Sequence, residues 1–191
     1  MQRSQAMDIV NTYVQNQGLI RHMLAVEAAM QDYARVYGQD PEEWGLAGLL
    51  HDFDWEIHPN MEEHPALGAP ILRELGVPEK IVRCILSHGS YIGVSRESLM
   101  EKCLYAVDEL TGLISAATLV RPSRSIHDLK IKSVRKKWKD TRFAASVDRE
   151  QIEQGAADLG IELNDHIANV IRSMQRIASD LGLNGDPADQ V

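Results

Sequence analysis

The chain has 191 residues, enough for one domain with a substantial core. Its net charge of −8 argues against a protein that coats nucleic acid, so nucleic acid is not an expected partner. No run approaches the ~18 apolar residues of a membrane span. The two cysteines, Cys84 and Cys103, lack paired spacing and lie in apolar contexts. They predict buried thiols and a reducing, cytoplasmic location without a membrane partner.

Apolar residues at helical spacing dominate the chain, and sustained strand alternation is absent. The sequence therefore predicts an all-α fold of about eight helices. The main helices are predicted over residues 4–16, 19–37, 41–52, 64–76, 78–88, 98–120, 148–160 and 164–181. Two starts carry clear capping signals: Asp40 precedes Pro41, and Ser98 precedes Glu101 by three positions.

Charge is concentrated in one segment. Nine basic residues and two acidic ones lie between Arg121 and Arg142, a local charge of +7; because the whole chain carries −8, the rest carries −15. Residues 130–139 could form a lid over a substrate or a solvated helix face, and both interpretations stay open. The tail over residues 183–191 is polar and is predicted to fray.

The apolar run 46–50 ends abruptly in His51 and Asp52. At the end of a buried helix, an imidazole and a carboxylate can converge on a metal ion, since imidazole suits transition metals and carboxylate supplies charge. Taken alone, the pair favours a helix that ends in solvent. It is accompanied by three more histidines at helix starts or ends, and by Asp108 within an apolar run, where burying an unpaired carboxylate is costly.

The order of these side chains resembles that of the HD superfamily of metal-dependent phosphohydrolases, over roughly residues 18–120. The six residues that carry the resemblance are His22, His51, Asp52, His64, His88 and Asp108. The resemblance implies an HD-domain helical bundle, so that residues 1–182 form a single domain with a C-terminal helical extension over 121–182. Other histidines, His58, His127 and His166, fall outside the pattern and are expected at the surface.

The resemblance also implies a metal site with one or two divalent ions. His22, His51, Asp52 and Asp108 would hold one ion, and the two remaining histidines would add ligands for a second, with Asp52 bridging. Mixed histidine and carboxylate ligation suits Fe, Mn, Co, Ni or Zn, with Mg also allowed. Asp54 could orient a ligand histidine or be a plain loop acid. It belongs to the Phe-Asp-Trp that replaces the Ile-Gly-Lys of the better-known HDIG-type motif.

The implied activity is hydrolysis of a phosphomonoester or phosphodiester, with a small phosphorylated metabolite or nucleotide as substrate and a metal-activated water as nucleophile. Asp52 and Arg124 are the candidate catalytic residues. The basic residues that could clamp the phosphate are Arg21, Lys102, Arg121 and Arg124. Arg124 is preferred because it follows the Asp108 helix closely, although it could equally be a solvated loop arginine. Two other functions stay open: a di-iron oxygenase with the same ligands, and a nucleotide-binding module without catalysis. Whether the chain forms a homodimer is also left open.

Overall fold

A computed structural model describes residues 1–185 of the chain. Within this range every regular element is helical, apart from one bridge between Ser125 and Asn184. The all-α prediction is confirmed. The α-helices are α1 (Arg3–Tyr13), α2 (Gln17–Val36), α3 (Pro41–Leu50), α4 (Gly68–Glu74), α5 (Glu79–His88), α6 (Leu99–Leu119), α7 (Ile131–Trp138), α8 (Arg149–Asp158), α9 (Leu163–Arg176) and α10 (Ala178–Leu181).

Helix boundaries differ most from the sequence prediction at two places. The helix predicted to begin at His64 begins at Gly68, because residues 61–67 form successive turns. The last predicted helix is interrupted at Ile177, whose φ of −119° and ψ of 25° are not helical, so α9 and α10 are separate. None of these described helices has both the length and the apolar character needed to cross a membrane.

Contacts divide the chain into two compact units, the first over Met1–Tyr105 and the second beginning at Ala106. The division falls within α6. The sequence places the start of the C-terminal extension at residue 121 instead, and the single domain over residues 1–182 stays a prediction.

The first unit is built around α3, which packs against α2, α1 and α5. Residues 44–50 of α3 are all buried, so this helix has no solvent-facing side there. Its closest neighbour is α2: a Cβ at Gly48 would lie 2.8 Å from the backbone nitrogen of Glu27. The Glu27 carboxylate is buried and accepts two hydrogen bonds from Arg3, which ties α1 to α2. Because of this packing, the end of α3 lies in the interior of the unit.

In the second unit, α7 and α8 both pack against α9. The basic segment contains α7, whose Val134 and Trp138 are buried while Lys132 and Lys136 are exposed. The surface position expected for His166 is wrong: it is completely buried, and its Nε2–H donates to the carbonyl oxygen of Ala106 at 2.9 Å. Burial lowers the pKa of His166, partly offset by that hydrogen bond.

The predicted frayed tail begins at Leu183, which is 2% exposed. Its carbonyl oxygen accepts from the backbone N–H of Ile126 at 2.8 Å. The start of the predicted tail is therefore packed. The remainder of that prediction, over residues 186–191, lies outside the described residues.

Gly48→Ala tests the close approach of α2 and α3. The new Cβ would lie within 2.9 Å of the Glu27 backbone, so the two helices must move apart, and the free energy of unfolding should fall by about 1–3 kcal/mol. The control is Gly112→Ala on α6, where, among residues 1–185, a Cβ would meet just Val147 Cγ2, at 3.9 Å; this variant should gain up to about 1 kcal/mol of stability. Urea unfolding measures both, and equal stability of the two variants would refute the close packing.

Candidate metal centre

His51 follows the last residue of α3 and keeps helical backbone angles, with φ −60° and ψ −35°. The side chain is completely buried, and its Nδ1 lies 2.8 Å from the carbonyl oxygen of Gly48. A carbonyl oxygen can only accept, so Nδ1 carries the proton and donates it. The unprotonated nitrogen of the neutral ring is therefore Nε2, which lies 3.1 Å from Nε2 of His22 on α2.

A second pair of imidazoles is arranged in the same way. His88 is the last residue of α5, and its Nδ1–H donates to the carbonyl oxygen of Ile85 at 2.5 Å. His64, from the turns before α4, donates Nδ1–H to the Oδ1 of Asp54 at 2.8 Å. The Nε2 atoms of His64 and His88 lie 3.2 Å apart. Both pairs thus bring Nε2 atoms together.

Asp52 lies between the two histidine pairs and turns a different carboxylate oxygen to each. Its Oδ2 is 3.7 Å from Nε2 of His22 and 3.5 Å from Nε2 of His51. Its Oδ1 is 3.2 Å from Nε2 of His64 and 3.7 Å from Nε2 of His88. Neighbouring residues on a helix point about 100° apart, but the chain leaves α3 at this point. The carboxylate can therefore share a centre with His51.

These donor atoms suit a divalent transition metal. Two imidazoles on one such ion, each ~2.0–2.1 Å from it, hold their nitrogens about 3.0–3.4 Å apart. The pair distances of 3.1 and 3.2 Å fall in this range. Unprotonated nitrogens that face each other also repel unless a cation or a proton lies between them. Ligand atoms of Asp52, His64 and His88 all lie within 4.8 Å of one another, so this group could hold a metal ion.

Nearby acids change the proton affinity of His64. Burial alone would lower its pKa, but hydrogen bonds and charge interactions with Asp52 and Asp54 outweigh burial and raise the pKa to about 9. At neutral pH and without metal, a proton on His64 thus satisfies the carboxylates. A metal ion that binds Nε2 of His64 must displace this proton.

Asp54 is completely buried and accepts from His64, so the interpretation as a plain loop acid is wrong. A ligand histidine in metal sites commonly donates its other ring N–H to a carboxylate in this way.

The other two predicted site residues, Asp108 and Arg124, belong to the second unit. Asp108 is half-buried on α6, and its carbonyl oxygen accepts from the hydroxyl of Thr111 at 2.9 Å. Arg124 is exposed in the turn after α6, with a left-handed φ of 47°. Their roles as sixth ligand and as phosphate clamp stay predictions.

In a comparison with protein families, a model of the HD domain matches residues 19–113. The chain belongs to the HD-domain family. The resemblance inferred from six residues is thereby confirmed, with nearly the predicted extent. HD-domain proteins form a family of metal-dependent hydrolases, in agreement with histidine and aspartate groups that could hold a metal. No curated protein and no solved structure matches the chain.

The raised pKa of His64 makes the stability of the metal-free protein depend on pH. Because the pKa of His64 is higher in the folded state, protonation of His64 favours folding. The stabilisation is complete below pH 6.5, the pKa of the unfolded state, and is lost as pH rises through about 9, the pKa of the folded state. Between these values the free energy of unfolding should fall by about 3 kcal/mol. Urea unfolding in chelator at several pH values measures this fall. His64→Gln should show a flatter profile over the same range, and an unchanged slope would contradict the assignment.

Proposed function

We propose that the chain is a metal-dependent phosphohydrolase with two divalent ions, acting on a small phosphorylated metabolite or nucleotide. The observation that carries this proposal is the position of Asp52, whose two oxygens face separate pairs of histidine Nε2 atoms. One carboxylate between two imidazole pairs is the arrangement that bridges two ions. Asp108 completes the ligand set in this proposal, on the strength of the sequence order alone.

A pair of divalent ions, when bound, polarises a phosphoryl oxygen and lowers the pKa of bound water toward neutrality. The protein's own contribution is to hold the ligands. His51 and His88 are fixed by backbone carbonyls, and His64 is fixed by Asp54. Neutral imidazoles bring no charge, so Asp52 and Asp108 offset only part of the charge of two divalent ions. The centre would stay positive and attract a phosphate group.

Arg124 is proposed as an additional phosphate-binding group. Guanidinium presents paired N–H donors that match phosphate oxygens. The side chain is exposed, and no ion pair involves it among the described residues. Its neighbour Arg121 is held by Asp128 at 3.0 Å, which makes Arg121 the weaker candidate.

Asp52→Ala tests the metal centre. Removing the shared carboxylate should release both ions. The rate of phosphate-ester hydrolysis should then fall by at least about a hundredfold, because the residues that remain cannot hold the metal. Elemental analysis of protein purified without chelator measures the ions, and a panel of phosphomonoesters and phosphodiesters with Mn²⁺, Fe²⁺, Co²⁺ or Mg²⁺ measures the activity. Asp8→Ala, at an exposed acid on α1, is the matched control and should behave as wild type.

Several outcomes of that experiment would contradict the proposal. Full metal content in Asp52→Ala would place the ions elsewhere. Turnover that requires dioxygen and releases no phosphate would favour the oxygenase. Metal-loaded wild-type protein that binds nucleotides but hydrolyses none of the panel would favour the binding module.

Arg124→Ala tests the phosphate clamp separately. Loss of a charge-assisted contact should raise KM about tenfold, equivalent to about 1.4 kcal/mol, while the metal content stays that of wild type. Steady-state kinetics on the best ester from the panel measures the change, and Arg124→Lys should recover part of it. Unchanged kinetics in Arg124→Ala would remove this residue from the site.

A further inference from the structure

Asp54 has an unusual environment for an ionisable side chain. It lies two residues after Asp52, in the turns that follow α3, and is completely buried. One carboxylate oxygen, Oδ1, accepts from Nδ1–H of His64. The other, Oδ2, is buried and has no hydrogen-bond partner among the described residues. An unsatisfied buried carboxylate oxygen costs stability, so this side chain is poorly explained by packing alone.

Gly68, the first residue of α4, is packed directly against the same carboxylate. A Cβ on Gly68 would lie 2.5 Å from Asp54 Cγ and 2.9 Å from Asp54 Cβ, and it would overlap Oδ2. Real Cβ atoms do not approach other atoms this closely, so any larger residue must displace the carboxylate. The absence of a side chain at Gly68 therefore allows Asp54 to keep its present position.

His64 depends on Asp54 for its orientation. Both nitrogens of the His64 ring have partners: Nδ1–H donates to Asp54, and Nε2 faces Asp52 and His88. The Trp55 ring also contacts the imidazole in a T-shaped arrangement, with centroids 5.0 Å apart and planes at 87°. The aromatic contact limits the tilt of the ring, whereas the Asp54 carboxylate keeps a proton on Nδ1 when a metal ion replaces the proton on Nε2. His51 and His88 use backbone carbonyls for this purpose, and their orientation does not need Asp54.

We propose that Asp54 and Gly68 together form a positioning device for His64, which sets the affinity of one ion of the pair. Asp54 holds Nδ1–H so that Nε2 faces Asp52 and His88, and Gly68 supplies the space that this carboxylate needs. The inference rests on the proposed two-ion function. It adds that the ion at His64 and His88 depends on Asp54, whereas the ion at His22 and His51 does not.

Titration of the full chain with Co²⁺ or Mn²⁺ tests the proposal, read by calorimetry and by elemental analysis after gel filtration. In Asp54→Ala and in Gly68→Ala, one ion should bind about 10- to 100-fold more weakly, while the affinity for the other changes less than threefold. Asp54→Asn retains an oxygen at Oδ1 and nearly the same shape. It should recover much of the lost affinity and provides a folded variant if the alanine variant does not fold.

The double variant Asp54→Ala/Gly68→Ala tests whether Gly68 acts through Asp54 or whether the two substitutions weaken metal binding independently. Asp54→Ala removes the two shortest contacts of the new methyl group, those with Oδ2 and Cγ, and leaves the 2.9 Å contact with Cβ. The double variant should therefore bind metal only slightly more weakly than Asp54→Ala alone, and much less weakly than the sum of the two single losses predicts. Additive losses would mean that Gly68 acts elsewhere. Gly112→Ala, at a helical glycine whose Cβ would lie at an ordinary contact distance of 3.9 Å from Val147 Cγ2, is the control and should bind both ions normally.

The outcomes distinguish this inference from the proposed function. Wild-type protein that binds no ion, or only one, would contradict the two-ion function itself. Wild-type protein with two ions, whose affinities are unchanged in Asp54→Ala and Gly68→Ala, would overturn only the positioning role. Equal weakening of both ions, together with a lowered Tm in Asp54→Asn, would also overturn it, since that pattern indicates a general structural role.

Discussion

The centre depends on how three of its histidine rings are fixed through Nδ1. His51 and His88 donate Nδ1–H to backbone carbonyls, and His64 donates it to Asp54. With Nδ1 held in this way, each of these rings turns Nε2 toward the same region. The Nε2 atoms lie 3.1 Å apart in one pair of rings and 3.2 Å apart in the other, and at these distances two nitrogen lone pairs repel unless a proton or a metal ion lies between them. A metal ion at the centre can take the place of such protons, including the one that raises the charge of His64 at neutral pH.

Helix ends supply two of these three fixed rings. The last carbonyl groups of an α-helix lack intrahelical partners, and a side chain three residues later can reach them. His51 takes the carbonyl of Gly48 at the end of α3, and His88 takes that of Ile85 at the end of α5. The same local hydrogen bond therefore occurs at both helix ends, where it satisfies a buried carbonyl group and orients a ligand histidine. The complete burial of α3 brings the first of these ends into the interior.

The sequence predicted those parts of the structure that depend on local pattern or on residue order. Apolar spacing located the main helices, and the order of four histidines and two aspartates indicated the HD domain. Contacts between distant segments left no such signal. The close packing of Gly68 against Asp54 depends on where α4 begins. The sequence predicted that start at His64, before the proline at position 65, whereas α4 begins at Gly68. The burial of His166 depends on packing against α6, and a single histidine beside an apolar stripe does not reveal it.

Anomalous diffraction from crystals grown with Mn²⁺ can test for a two-ion centre, because it locates ions without reference to activity. Two peaks are expected, one beside the Nε2 atoms of His22 and His51 and the other beside those of His64 and His88. Each ion should be bound by a different oxygen of Asp52. A single peak, or peaks away from these imidazoles, would contradict the two-ion centre on which the proposed chemistry is built.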